Sequence, residues 1–251
     1  MSKVGLQAWM VLVVLMVVGL AAVGGEADGE AHKPGGDLWL LFVWNVEGNP
    51  NRDEQKAQTT WLRNLLMKNN KGVFAHLHLK VLSGDDATRD GILEGLAWLK
   101  KNMKDSDTGV FNISCHGTAT KHGWKGAVHP MEDGKKHPFT SKDLVDSLTE
   151  IKGKVLVSVG SCHSGGILEQ EGLDKLTNVV IITACQKDEG SSGALVPFAQ
   201  EGWSGAADSN HDGFVDSREI AEYLVEHHPP KFTPAFYHPK DLPPFPIVKV
   251  K

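Results

Sequence analysis

Apolar side chains gather in five short runs, at residues 38–46, 75–82, 109–115, 154–160 and 178–184, each of strand length. Their near-continuous apolar character, rather than strict alternation, predicts strands buried on both faces. Helix-length segments separate them, at 55–68, 89–103 and 141–151. In the second, Ile92, Leu96 and Leu99 recur at helical spacing, and the third opens on Ser141 as an N-cap. This alternation predicts an α/β fold, a mostly parallel central sheet sandwiched between helices on both faces.

Between His116 and Ser141 the hydrophobic pattern has no sustained period, so 118–138 reads as a hairpin and loop beside the strand tips, placed to line a cleft. The tail 228–246 is rich in proline and ends in an apolar run, 247–250, expected to form an edge strand. No internal repeat or low-complexity tract interrupts the chain, so 37–251 is expected to be one domain. Ahead of it, Lys3 precedes an almost uncharged stretch from Val4 to Val23, then Gly24, Gly25 and an acidic, glycine-bearing segment. This predicts a secretory signal at 1–24, with small residues at Ala22 and Gly24 for cleavage, and a flexible linker at 25–36. The expected location is exported, periplasmic or secreted. Left uncleaved, residues 4–23 are long enough to anchor the chain in a membrane, the one circumstance in which a membrane partner is expected.

With 41% hydrophobic and 23% charged residues among 251, the composition is that of a globular protein with a sizeable core. A net charge of −5 without basic clusters argues against nucleic acid as a partner. Three cysteines, an odd number, indicate no disulfide framework. Nothing in the sequence sets the oligomeric state.

Two of the predicted strands end in reactive side chains. The run 154–160 leads into Ser161-Cys162-His163-Ser164-Gly165-Gly166, and the run 109–115 into His116-Gly117. A thiol and an imidazole at the carboxyl ends of buried parallel strands lie where open sheets bind ligands, and the small residues beyond let a substrate backbone approach. Cys162 follows His116 by 46 residues, near the roughly 50-residue separation known in caspases.

The segments Ser114-Cys115-His116-Gly117 and Gly160-Ser161-Cys162-His163-Ser164-Gly165 resemble the Ser-Gly-His-Gly and Asp-x-Cys-His-Ser-Gly motifs of metacaspases and their bacterial caspase-like relatives. The stretch 81–89, ahead of a helical pattern, resembles that family too. The resemblance implies a caspase-like cysteine endopeptidase acting on a peptide or protein, with no cofactor for catalysis. His116 and Cys162 would be the catalytic dyad and the N–H groups of Gly117 and Cys162 the oxyanion hole, with Gly160 and Ser161 against the substrate. Two positions depart from the pattern: Cys115 stands where glycine is usual, and Gly160 where aspartate is usual. In the family that aspartate favours arginine or lysine at P1, so its loss predicts weak basic selectivity unless Asp85, Asp86 or an acid of the 45–53 loop substitutes in space. The segment 186–193 is short for an excised linker, which predicts a single-chain enzyme. The alternative is a catalytically silent caspase-like domain that binds or scaffolds. A zinc site from Cys115, His116, Cys162 and His163 is disfavoured, because adjacent strand residues point to opposite faces.

A separate constellation runs from Asp208 to Glu219. Asp208, Asn210, Asp212, Phe214 through its carbonyl, Asp216 and Glu219 occupy positions 1, 3, 5, 7, 9 and 12 of an EF-hand loop, with Gly213 at position 6. A calcium ion of structural role is expected there, ahead of a helix at 217–226.

Overall fold

Strand β1 (Leu38–Asn45) shows how the sequence builds the sheet. Successive side chains leave opposite faces of a strand, and here Leu38, Leu40 and Phe42 enter one core while Trp39, Leu41 and Val43 enter another. Both faces are apolar because both are covered. The computed structural model describes residues 35–45, 52–121, 123–127, 137–190, 199–228 and 231–250. The expected signal at 1–24, and the expected linker apart from residues 35 and 36, lie outside them. Among the described residues no helix is long and apolar enough to cross a membrane.

The main sheet has the order β2 (Leu77–Ser83), β1, β3 (Thr108–Thr120), β6 (Lys154–Gly160), β7 (Val179–Thr183) and β9 (Ala235–Tyr237). The first five are parallel and β9 runs antiparallel to β7. Helices α2 (Arg89–Asn102) and α3 (Ser141–Leu148) bury Ile92, Leu96, Leu99, Leu144 and Leu148 on the face of Trp39 and Phe111. Helices α1 (Arg52–Asn69) and α4 (Ser217–Glu226) bury Leu62, Leu66, Ile220 and Leu224 on the face of Leu40 and Leu156. The doubly covered, mostly parallel sheet is the architecture the apolar pattern implies.

Three elements differ from expectation. Strand β3 does not stop at Cys115 but continues to Thr120, pairing antiparallel with β4 (Gly123–Ala127), which pairs in turn with β5 (Phe139–Thr140). The continuation, His116-Gly-Thr-Ala-Thr120, is polar and largely exposed, so an apolar-run criterion ends too early. Helix α3 is capped by Thr140 rather than Ser141: Thr140 Oγ1 accepts the Asp143 N–H and the Asp143 carboxylate accepts the Thr140 N–H. The tail run forms β10 (Pro246–Lys249), which joins β8 (Phe214–Asp216) in a separate antiparallel pair instead of edging the main sheet. Ile247 and Val248 are fully buried there. The run is thus an edge strand as expected, but of the β8–β10 pair, and the far edge of the main sheet falls to β9.

Candidate active site

Register positions the two candidate side chains. Strands β3 and β6 pair in parallel with Ser114 opposite Gly160 as their last row, so His116 and Cys162 each lie two residues beyond it. Alternation along β3 puts Ile113 and Cys115 in the α2/α3 core, and Val110 in the opposite one. His116 therefore shares the α1/α4 face with Ser114, and it is exposed. Along β6, Val159 belongs to the α2/α3 core and Leu156 to the other, which assigns Gly160 to the face of His116.

Beyond Gly160 the chain turns sharply. His163 adopts left-handed backbone angles (φ 60°, ψ 16°) and starts a 3₁₀ segment at Ser164–Glu169. The turn is pinned from the loop after β7: His163 N–H donates to Glu189 O at 2.9 Å and Gly165 N–H to Cys185 O at 2.8 Å. Gly165 must be glycine, since a Cβ would stand 2.7 Å from the Cys185 carbonyl oxygen. The His163 ring is engaged elsewhere, its Nδ1 2.8 Å from Lys187 O. Cys115 and His116 leave opposite faces of β3, so these four residues do not converge on one point.

Gly117 carries the closest approach between the two strand tips. A Cβ there would stand 2.5 Å from Ser161 Oγ and closer still to the Cys162 carbonyl and Trp124 Nε1. The backbone after His116 is therefore pressed against the backbone of Cys162. Trp124, on β4 and 1% exposed, locks the contact: its indole N–H donates to Ser161 Oγ at 2.8 Å and, more weakly, to Cys162 O at 3.2 Å. Ser161 is wholly buried and its hydroxyl donates to the Cys162 carbonyl at 3.1 Å. Ser161 thus supports the turn from beneath, its side chain fully covered and bonded to Trp124.

None of the three cysteines takes part in a disulfide. Burial, with a smaller contribution from nearby Cys162, pushes the Cys115 thiol up to about 12. Burial likewise raises the Cys185 thiol, which donates toward Glu189 O and Ser161 O. Both stay protonated at neutral pH and act as small buried side chains. Cys162, partly exposed, is the accessible thiol.

Two contributors were missed by sequence reasoning. Trp124 was visible only as an aromatic in an aperiodic loop, and its pairing with Ser161 needs the β3–β4 hairpin. Glu189 also stands out only in space. Its carboxylate accepts from Gln186 N, Thr233 N and Thr233 Oγ1, while its carbonyl receives the His163 N–H. Burial alone would raise this carboxyl, but those bonds outweigh it and hold the group below the usual range.

The loop from Asp208 to Glu219 lies between a helical turn at Gly202–Ala206 and α4. Gly213 has φ +86°, the turn that position 6 requires. Asp208 Oδ2 accepts the Gly213 N–H, and Asp212 Oδ1 the Phe214 N–H. Asp216 caps α4, and Glu219 accepts from Ser209 N, Asn210 N and Asp216 N. Burial, then the neighbouring Glu219 and Asp212 charges, raises the Asp216 carboxyl. Among the described residues no three His, Cys, Asp or Glu side chains already converge as a metal cluster.

Known proteins are similar to this chain in sequence and fold. The chain is 26% identical to metacaspase-2 of Trypanosoma brucei brucei, over 43% of this chain and 40% of that one, and 26% identical to metacaspase-3 over similar shares. It thus spans about two-fifths of those relatives. Among solved structures, a Geobacter sulfurreducens protein superposes with a TM-score of 0.56 at 14% identity, covering 80% of this chain and 92% of the other. The Drosophila initiator caspase Dronc gives 0.55 at 10% identity, covering 86% and 84%. At such identities the superpositions speak for the fold alone. The caspase-domain family itself matches residues 67–206, more than half the chain and inclusive of both strand tips, so this protein belongs to the caspase and metacaspase-like peptidase family.

Proposed function

We propose that the chain is a cysteine endopeptidase working through a Cys162–His116 dyad. The observation that carries this is the packing of the Gly117 backbone on the Cys162 carbonyl, which sets the backbone following the imidazole against that of the thiol. In the first step His116 takes the Cys162 proton and the thiolate adds to the scissile carbonyl carbon. The oxyanion so formed would face the N–H groups of Gly117 and Cys162. Collapse expels the amine, which receives the proton from His116, and leaves a thioester. Water, deprotonated by His116, then hydrolyses that thioester and frees Cys162. Thiols are intrinsically good nucleophiles, so no third residue is required.

Labelling with a peptidyl electrophile tests the reading. Modification of Cys162 is expected, with loss of labelling and turnover in Cys162→Ala and in His116→Ala and non-additive effects in the double variant. Cys115→Ala and Cys185→Ala should keep most activity. Near-wild-type turnover by folded Cys162→Ala or His116→Ala refutes the dyad, and unselective labelling across the cysteines favours a silent binding domain.

A structural calcium ion in the 208–219 loop belongs to the same reading. Its support is that Asp208 Oδ1 is buried without a hydrogen-bond partner and that Asn210, Asp212, Phe214 and Asp216 line one cavity of about 330 Å³. A buried carboxylate oxygen left unsatisfied is costly, and a hard cation answers it. Glu219 would have to exchange its backbone donors for the ion.

A further inference from the structure

Trp124 is clamped from several sides. Gly117 and Gly126 are direct partners across the β3–β4 hairpin, and the indole lies over both. A Cβ on Gly117 would stand 2.4 Å from Trp124 Nε1, and one on Gly126 would stand 2.5 Å from Cη2. Two facing residues without side chains thus make the slot that the ring fills, with Cys115 Sγ 3.1 Å from that Gly126 Cβ position. The Trp124 backbone is tied as well: its N–H donates to Ser141 Oγ at 3.2 Å, and Ser141 Oγ donates in turn to Gln170 Oε1 at 2.7 Å. A ring bounded at both ends and almost wholly buried is left one pose.

That pose controls the geometry of the two amides proposed for the oxyanion hole. The indole N–H and the Ser161 hydroxyl both donate to the Cys162 carbonyl, at 3.2 and 3.1 Å, and the indole N–H donates to Ser161 Oγ at 2.8 Å. The peptide unit joining Cys162 to His163 is planar, so fixing its oxygen fixes the opposite N–H, which is itself tied to Glu189 O at 2.9 Å. Held at both ends, this plane sets the direction in which the chain leaves Cys162. The preceding plane has a weaker anchor, since Ser161 O accepts at 3.5 Å from a Cys185 Sγ that also reaches Glu189 O. Strand pairing between β3 and β6 ends at Ser114 and Gly160, short of both amides. The Trp124 Nε1 edge, in contact with Gly117 on one side and with Ser161 and Cys162 on the other, takes over from there. Oxyanion donors act by standing ready where charge develops, and a displacement of about 1 Å is enough to lose most of their effect.

We infer that Trp124 is a positioning residue for the oxyanion hole: through Ser161 Oγ, the Cys162 carbonyl and Gly117 it holds the two oxyanion donors at their working separation. Being buried, it acts through those residues and not on substrate. The inference rests on the peptidase reading and deepens it.

The test pairs Trp124→Phe, which keeps a ring in the slot and removes its N–H, with Ser161→Ala, which removes the hydroxyl that accepts it. Both are assayed well below Tm, with wild-type circular dichroism as the condition for comparison. A P1-varied set of fluorogenic peptides reports turnover, matching peptide aldehydes report the oxyanion hole, and iodoacetamide reports the thiolate, whose alkylation needs no oxyanion donor. Each variant should lose about 10- to 100-fold in kcat with little change in KM. Aldehyde affinity should fall by a similar factor, because the hemithioacetal uses the same donors. The rate and pH profile of Cys162 alkylation should stay within about twofold of wild type. Should Trp124→Phe not fold, Ser161→Ala alone decides. Wild-type kcat in a folded variant, or a loss shared equally by alkylation, overturns the positioning role and leaves the dyad standing. No cleavage and no Cys162 labelling by the wild type at any P1 residue refutes the peptidase reading, and this inference with it.

Discussion

Gly117→Ala separates catalytic geometry from stability. The added Cβ would meet Ser161 Oγ at 2.5 Å, and the Cys162 carbonyl and Trp124 Nε1 more closely, whereas ordinary contact begins at 3.4 Å. One of the two strand tips must therefore retreat by about 1 Å. Neither neighbour is a flexible chain end: the carbonyl belongs to a turn pinned at His163 and Gly165, and Trp124 is buried. Overpacking of this kind costs about 1–3 kcal/mol, or roughly 2–4 °C in Tm per kcal/mol for a domain of this size. A 1 Å displacement of reacting groups costs about 100-fold in rate, and an oxyanion donor moved out of place costs 100- to 1,000-fold. The variant should thus remain folded at 25 °C, bind substrate with little change in KM, and lose at least about 100-fold in kcat. Calorimetry and steady-state kinetics with active-site titration measure both quantities. Wild-type kcat with unchanged Tm would show that Gly117 does not sit against the nucleophile turn.

Two further outcomes can be measured directly. Millimolar calcium added to chelator-treated protein should raise Tm by several degrees, since an ion held only by the folded loop at 100 times its Kd contributes about 2.7 kcal/mol, and Asp208→Ala should abolish the rise; calorimetric titration showing no binding refutes the site. Asp143, where burial raises the carboxyl but bonds from Arg89 and Thr140 outweigh it, sits below its ordinary 3.8. Its contribution is therefore fully present above 3.8 and lost as pH falls through the lower folded-state value. Asp143→Ala should lower stability by about 1–2 kcal/mol at pH 7, the loss of the charge-assisted bonds its carboxylate accepts from Arg89 and the Thr140 N–H, and converge on the wild type in strong acid. An offset that is constant with pH would show that the carboxylate's charge is not the cause.

The sequence by itself determined the sheet. Four of the five apolar runs became β1, β3, β6 and β7, because a strand covered on both faces must be apolar at consecutive positions, while the fifth became the edge strand β2, whose Leu79 and Val81 stay exposed. It also determined where the accessible thiol stands, since small residues after a buried strand have to end it and Cys162 falls in that turn. What tertiary structure alone decided is how the two tips meet. The β3 extension, the Trp124 lock on Ser161 and the Glu189 buttress all join residues distant in sequence through hydrogen bonds that leave no periodic trace. Ser161 shows the consequence, small and polar beside Cys162 yet turned inward because the alternation of β6 and the Trp124 indole fix its direction.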